Sequence, residues 1–199
     1  SPWESYQEDW RLGRHNAVTV AYKKSKQDQM YTVRAISKPQ ARGNLEMIRQ
    51  LHHKNLVPIH EVFASQQEFF IVSPYMDISL ERINGSPRYP CEAQLAELSR
   101  EILYGISYLA SEGWTHSNIN CSNILLSLKD VGGTRVTDIE CCSKSVEGAA
   151  GRIDTKALGT VMMRVMEKDS QPKGSFGLRH PERWSGDAVE FLSMTQVST

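Results

Sequence analysis

The chain has 199 residues, of which 40% are hydrophobic and 23% are charged, and this is the composition of an ordinary globular protein with one or two domains. Basic and acidic residues number 23 each, so no net charge draws the chain toward nucleic acid or an anionic membrane, and neither is expected as a partner. No apolar run approaches the ~20 residues that a membrane-spanning helix needs, and the first residues lack the layout of a signal peptide.

Four cysteines stand at positions 91, 121, 141 and 142, and none belongs to a CxxC pair. Two adjacent cysteines do not easily form an unstrained disulfide with each other. We therefore predict reduced thiols in an intracellular protein, cytoplasmic or nuclear, with a metal site or a disulfide as the alternatives.

Strand-like patterns dominate the first 76 residues. Residues 10–23 predict a β-hairpin, because every second residue from 18 to 22 is β-branched or aromatic. Residues 40–52 predict a helix, because leucine and isoleucine recur there on one helical stripe. Further strands are predicted over 59–63 and 69–73.

Helical patterns dominate the rest of the chain. The most regular one lies over 92–111, where an apolar residue recurs every three or four positions until Gly113 ends the helix. A further helix is predicted over 184–192, with Ser185 as its capping residue.

A polar loop within 114–126 separates the 92–111 helix from a strand-like run over 135–138. The polar residues of this loop that draw notice are His116, Asn118, Asn120 and Asn123. The order and spacing of these residues resemble the catalytic loop of the protein kinases, H-R-D-x-x-x-x-N followed by apolar residues.

Four further segments resemble kinase motifs, in the family's order along the chain. Residues 12–20 resemble the phosphate-binding loop, and residues 31–38 resemble the third strand. Asp138-Ile139-Glu140 stand at the D-F-G position, where Glu140 replaces the glycine. Residues 154–166 begin with Asp154, and the resemblance implies that they form a helix whose Asp154 tethers the catalytic-loop backbone. The resemblance also implies a short helix over 78–83, after the hinge.

The resemblance implies an α+β, two-lobed, protein-kinase-like fold. A small β-rich N-lobe over 1–76 would contain a five-stranded sheet and an αC-like helix and would end at the hinge. An abbreviated helical C-lobe would follow over 77–199, and the two lobes together would form one kinase-like domain.

The resemblance also implies that the catalytic positions are changed. Arg34 stands in place of the phosphate-pairing Lys and Asn44 in place of the αC Glu, so no ion pair is expected between them. Asn118 replaces the Asp that takes the proton of the substrate hydroxyl, and Asn120 replaces the neighbouring Lys. Because an amide does not accept a proton at neutral pH, no catalytic residue is expected to be intact.

A vestigial nucleotide site is implied at other positions. Only Gly13 remains of the three phosphate-loop glycines, and His15 and Val18 fill the other two places. Asn123 and Asp138 match the two metal ligands of the family. We therefore expect no cofactor, or weak binding of ATP and Mg²⁺. An adenine ring would contact Val20, Thr32, Tyr75, Met76 and Leu125.

The C-lobe is also expected to lack the family's activation loop, because only 16 positions separate Asp138 from Asp154. With the changed catalytic positions, this predicts a catalytically inactive pseudokinase, not an enzyme, that acts as a protein-binding, regulatory or scaffold module. The alternatives are a nucleotide-binding sensor without turnover and a weak, unconventional protein kinase that uses Arg34, Asn123 and Asp138.

A protein partner is expected for such a module, and the sequence indicates no oligomeric state. Trp3, Tyr6 and Trp10, and the face near Trp184, are candidates for the partner surface, because aromatic residues are enriched at interfaces. Packing of these side chains inside the N-lobe is the alternative.

Overall fold

Two compact units are seen in a computed structural model, which describes residues 1–13, 17–38, 44–129, 133–146, 151–168 and 177–197. The first unit consists of Ser1–His53, Val57–Met76 and Ile139–Cys141. The second consists of Lys54–Leu56, Asp77–Asp138 and Cys142–Thr199. The chain therefore passes from one unit to the other several times.

The first unit is built on a five-stranded antiparallel sheet. Its strands in spatial order are β1 (Tyr6–Leu12), β2 (Val18–Lys23), β3 (Lys26–Ser37), β5 (Glu68–Pro74) and β4 (Glu61–Ala64). The predicted hairpin and the predicted strands are confirmed, although β1 begins earlier than predicted and β3 is longer. In the observed register, Val18 pairs with Leu12 on one side and with Arg34 on the other.

One face of this sheet carries an aromatic core. Tyr6 packs edge-to-face against Tyr31, with ring centroids 5.4 Å apart, and against Phe63, at 6.2 Å. Trp3 also packs against this cluster, whereas Trp10 is partly exposed beside Tyr75. Packing inside the unit therefore accounts for Trp3 and Tyr6, which were candidates for a partner surface.

The predicted helix over 40–52 is shorter than expected. Helix α1 spans only Leu45–Ile48, Asn44 is its N-cap, and residues 39–43 lie outside the described residues. Leu51 is still buried, because two tight turns continue past the helix through bonds from Gln50 N to Met47 O and from Leu51 N to Ile48 O. The apolar stripe was predicted correctly, but burying it needs only one helical turn, and a short helix gains little stability of its own.

The second unit is mainly helical. It contains α2 (Leu80–Asn84), α3 (Glu92–Ser111), α4 (Arg152–Glu167) and α5 (Gly186–Gln196). Short strands complete it: β6 (Ile78–Ser79), β8 (Ile124–Leu126) and β9 (Thr134–Val136) form one sheet, and β7 (Trp114–Thr115) pairs with β10 (Ser143–Lys144). The segment predicted as one helix over 78–83 thus begins as a strand.

Helix α3 has the predicted bounds, and its apolar stripe is buried: Leu95, Leu98, Ile102, Ile106 and Leu109. Gly113 follows it with φ +76°, a left-handed conformation that glycine adopts without strain. Ser185 caps α5 as predicted, since its side chain accepts a hydrogen bond from Ala188 N at 3.3 Å.

The helices in the described part of the chain were also compared with the dimensions of a bilayer. None of them is both long enough and apolar enough to cross a membrane.

Cys121, in the second unit, is buried, and this burial raises the pKa of its thiol to about 11.

Candidate functional site

The loop between β7 and β8 is held in place by Asp154 of helix α4. Its Oδ2 accepts a hydrogen bond from His116 N at 2.8 Å, and its Oδ1 accepts one from Ser117 N at 2.8 Å. Asp154 is fully buried, and Ser117 has φ +60°, which costs a non-glycine residue conformational energy. The carboxylate thus fixes a strained backbone, which is the tether that the resemblance implied.

His116 joins this loop to the segment after β9. The ring is buried, with Nε2 2.7 Å from the carbonyl oxygen of Thr137, while Nδ1 accepts a hydrogen bond from Asn118 N at 3.3 Å. Because a backbone carbonyl cannot donate and a backbone N–H cannot accept, the proton lies on Nε2 and the imidazole is neutral. His116 therefore serves the architecture of the loop.

Three asparagines of the loop form one hydrogen-bonded network. Asn120 Nδ2 donates to both the backbone oxygen and the Oδ1 of Asn118, each at 3.0 Å. Asn120 Oδ1 in turn accepts from Ser122 N at 2.8 Å and from Asn123 N at 3.3 Å. Asn123 Nδ2 donates to Asn118 O at 2.9 Å. The structure therefore brings Asn118, Asn120 and Asn123 together, and Asn120 is the centre of the network.

The two predicted metal ligands, Asn123 and Asp138, lie in the second unit. Asn123 is buried, and its amide nitrogen is used in the bond to Asn118, so its Oδ1 is the atom that suits a cation. Asp138 has φ +65°, a strained conformation typical of functional positions. Amide and carboxylate oxygens are ligands that Mg²⁺ accepts. The residues present therefore fit a magnesium ion in their chemistry.

A salt bridge that the sequence did not reveal lies in the first unit. Arg34 of β3 donates from Nη2 to Glu140 Oε1, in the turn Ile139–Cys141. The Glu140 side chain is only 2% exposed and that of Arg34 20%. Arg34 and Asn44 were predicted to form no ion pair, but Arg34 does have a carboxylate partner, supplied by a residue interpreted only as a lost glycine. The sequence did contain a signal for this salt bridge: Arg34 and Glu140 carry opposite charges, and both stand at positions that differ from the family's motifs.

The other predicted nucleotide contacts are divided between the units. In the first unit, Val20 pairs with Thr32 across β2 and β3, and Thr32 pairs with Ser73 across β3 and β5. Tyr75 and the buried Met76 follow β5 directly, and Tyr75 N donates to Met30 O at 3.1 Å. Leu125 belongs to the second unit, where it pairs with Ser79 and Arg135.

The phosphate-loop positions are only partly described. Gly13 has φ +81°, and no atom of the described residues lies within 4 Å of the place where a Cβ would be, so it can take the conformation that a phosphate loop needs. Val18 is a regular strand residue of β2. His15 lies outside the described residues.

Comparisons with known proteins identify the family of this chain. The model of the protein kinase domain matches residues 11–164. The chain is 30% identical over 114 residues to the serine/threonine-protein kinase SMU1 of Mycosarcoma maydis, and this match covers 57% of this chain and 15% of that protein. It is 28% identical over 153 residues to the serine/threonine-protein kinase STE20 of Candida glabrata, and this match covers 74% of this chain and 16% of that protein.

A solved structure confirms the predicted α+β, protein-kinase-like fold. A crystal structure of Rad53 1-466 in complex with AMP-PNP superposes with a TM-score of 0.82 at 19% identity, over 98% of this chain and 62% of that one. The chain thus spans less than two thirds of that structure and about a sixth of the two kinases named above.

The prediction that the chain is not an enzyme is wrong. The matching family model is that of a kinase domain, and the relatives are named as serine/threonine-protein kinases. The error lay in reading changed residues as lost activity, although phosphoryl transfer depends mainly on positioning and electrostatics. Because the kinase model matches most of its residues, the chain belongs to the protein kinase domain family.

Proposed function

We propose that this chain is an unconventional protein kinase, which transfers the γ-phosphoryl group of ATP to a serine or threonine hydroxyl of a protein, more slowly than with an aspartate at position 118. The observation that carries the proposal is the ordered loop between β7 and β8. Asp154 clamps its backbone, and Asn120 binds both Asn118 and Asn123. A loop of this kind can position a substrate hydroxyl.

Asn118 is the residue that would orient the acceptor hydroxyl. Its Oδ1 accepts one hydrogen bond, from Asn120 Nδ2, and an amide oxygen can accept a second. It cannot take up the proton, so it supplies orientation without general-base catalysis. Because the transition state of phosphoryl transfer is loose, the loss of the base slows the reaction and does not abolish it.

ATP and Mg²⁺ are the cofactors that this proposal requires. Asn123 Oδ1 and the Asp138 carboxylate would hold the metal, which when bound neutralises phosphate charge. Arg34 would contact a phosphate, since a planar guanidinium recognises phosphate oxygens well. In the first unit, Gly13, Val20, Thr32, Tyr75 and Met76 would contact the rest of the nucleotide.

The proposed partner is the protein that carries the acceptor hydroxyl. Support for it comes from the relatives, whose names describe serine/threonine-protein kinases. Nucleic acid is not a proposed partner, because the chain carries no excess of basic residues.

The test is transfer of labelled phosphate from ATP to the chain itself and to a mixture of serine- and threonine-containing peptides, with Mg²⁺ or Mn²⁺. We expect slow transfer by the native chain. Asn118→Asp restores a base and should raise the rate by about 10²-fold or more. Asp138→Asn should reduce transfer to background.

The matched control is Asp28→Asn, which removes a carboxylate from an exposed position in β3 and should leave transfer unchanged. Nucleotide binding without any transfer, in the native chain and in Asn118→Asp alike, would contradict the proposal.

A further inference from the structure

The salt bridge between Arg34 and Glu140 is built from two positions that differ from the family pattern together. Arg34 lies in β3, in register with Val18 of β2 and Ile71 of β5. Glu140 lies 106 residues further along the chain, in the turn Ile139–Cys141, and it belongs to the same structural unit.

Glu140 is held in a place where a carboxylate needs a partner. Its side chain is almost fully buried, and burying a carboxylate without a cation is strongly unfavourable. The guanidinium of Arg34 supplies that cation. The bond therefore fixes both side chains, unlike a solvent-exposed ion pair, which contributes little.

Helix α1 carries one carboxylate, that of Glu46. Asn44, at the position of the family's helix glutamate, is the N-cap of α1 and carries an amide. Glu46 is 84% exposed, and its carboxylate lies 3.6 Å from Arg49. The ion pair described for Arg34 is therefore the one with Glu140, in the turn Ile139–Cys141.

We propose that Glu140 is a positioning residue that holds Arg34 for contact with a nucleotide phosphate, and so replaces the missing helix carboxylate. The inference rests on the function proposed above. An arginine suits this arrangement better than a lysine, because its planar fork can bind a carboxylate through one edge and a phosphate through another. A lysine in β3 would offer a single ammonium group to both.

The test measures ATP affinity by calorimetry, together with KM and kcat for transfer, in the intact chain. Glu140→Gln should weaken ATP binding and raise KM about tenfold, with a much smaller change in kcat, because the amide no longer fixes the guanidinium. Arg34→Gln should weaken binding at least as much. The double variant should bind ATP no more weakly than Arg34→Gln alone, since Glu140 acts only through Arg34.

The matched control is Glu61→Gln. Glu61 also forms an ion pair in the first unit, with Lys23 at 2.7 Å, and its loss should leave ATP affinity unchanged. Thermal unfolding of each variant verifies that it is folded. The double variant replaces the ion pair with two amides that can still bind each other, which guards against misfolding of the single variants.

Three results would overturn the inference. Unchanged or tighter ATP binding by Glu140→Gln would show that the bridge is structural or occludes the site, even if transfer by the native chain is observed. Additive losses in the double variant would show that Glu140 acts independently of Arg34. Failure of the folded native chain to bind ATP would overturn the proposed function and this inference together.

Discussion

Asp154 is the residue on which the candidate loop depends most directly. Replacing it with alanine leaves two adjacent backbone N–H groups, those of His116 and Ser117, without their acceptors. Each buried N–H that loses its partner costs about 1–3 kcal/mol, so we expect Asp154→Ala to lower the free energy of unfolding by about 2–5 kcal/mol. Asp154→Asn keeps one acceptor and should cost less. Urea unfolding of the purified variants measures both values.

Asp154 also lies in the first turn of α4, where a carboxylate interacts favourably with the helix dipole. Asp187 lies in the first turn of α5 but is exposed, so Asp187→Ala separates the two effects. We expect the control to cost about 0.3–1 kcal/mol. Equal losses in the two variants would assign the effect of Asp154 to the dipole alone.

For single residues, the sequence predicted well where a residue lies in the fold and predicted poorly which residue it bonds to. Spacing placed Asn118, Asn120 and Asn123 in one loop, and the structure brings them together. Spacing could not predict that Asn120 is the centre of the hydrogen-bonded network, because Asn120 was interpreted only as the replacement of a lysine. Glu140 was missed because its partner lies 106 residues away, and a local pattern carries no information on such a pair.

Helices α4 and α5 approach each other closely at Gly159. A Cβ added there would lie 1.9 Å from Thr195 Oγ1 and 2.8 Å from Thr195 Cβ, both far inside contact distance. Alanine favours a helix over glycine by about 1 kcal/mol, but overpacking costs about 1–3 kcal/mol. We therefore expect Gly159→Ala to destabilise the chain, as measured by its thermal midpoint, and Gly159→Ala/Thr195→Ala to recover part of the loss.

Gly186, at the first position of α5, is the matched control. A Cβ there would have no atom of the described residues within 4 Å, so Gly186→Ala should leave the thermal midpoint unchanged or raise it. A stabilising effect of Gly159→Ala would show that α4 and α5 can separate without cost.

Elements were predicted best where apolar periodicity and a cap agree. Helix α3 and the Ser185 cap of α5 meet that condition. Helix α1 does not, because its apolar stripe is compatible with one helical turn followed by tight turns. The two-residue strands β6, β7 and β10 are too short for any period to register, and their partners lie far away in sequence.

For the whole molecule, the order of the motifs was enough to predict the fold. It could not reveal how the chain is shared between the units, since Ile139–Cys141 belongs to the first unit although both flanking segments belong to the second. A local sequence pattern predicts the secondary structure of a segment. The unit to which Ile139–Cys141 belongs depends instead on the side chains that this segment contacts, and a local pattern does not contain them. Ile139 and Glu140 are both almost fully buried, so this segment contributes apolar contact and charge.

This sharing predicts that a fragment of residues 1–76 is less stable than the same residues in the intact chain. The fragment lacks Ile139, whose burial contributes about 1.5–3 kcal/mol, and it lacks the carboxylate that pairs with Arg34. Backbone amides of β2 and β3 should therefore exchange with deuterium about 10-fold faster or more in the fragment. Hydrogen-exchange mass spectrometry of both samples gives the comparison.

Variants that remove one charge test whether the difference in exchange between the fragment and the intact chain comes from the ion pair between Arg34 and Glu140. Arg34→Gln should accelerate exchange in the intact chain, where it leaves Glu140 buried without its cation, and should have little effect in the fragment, where that carboxylate is absent. Lys23→Met should act alike in both samples, because its partner Glu61 lies within residues 1–76. An equal effect of Arg34→Gln in both would mean that the sheet does not depend on the returning segment, and the first unit would then be complete by residue 76.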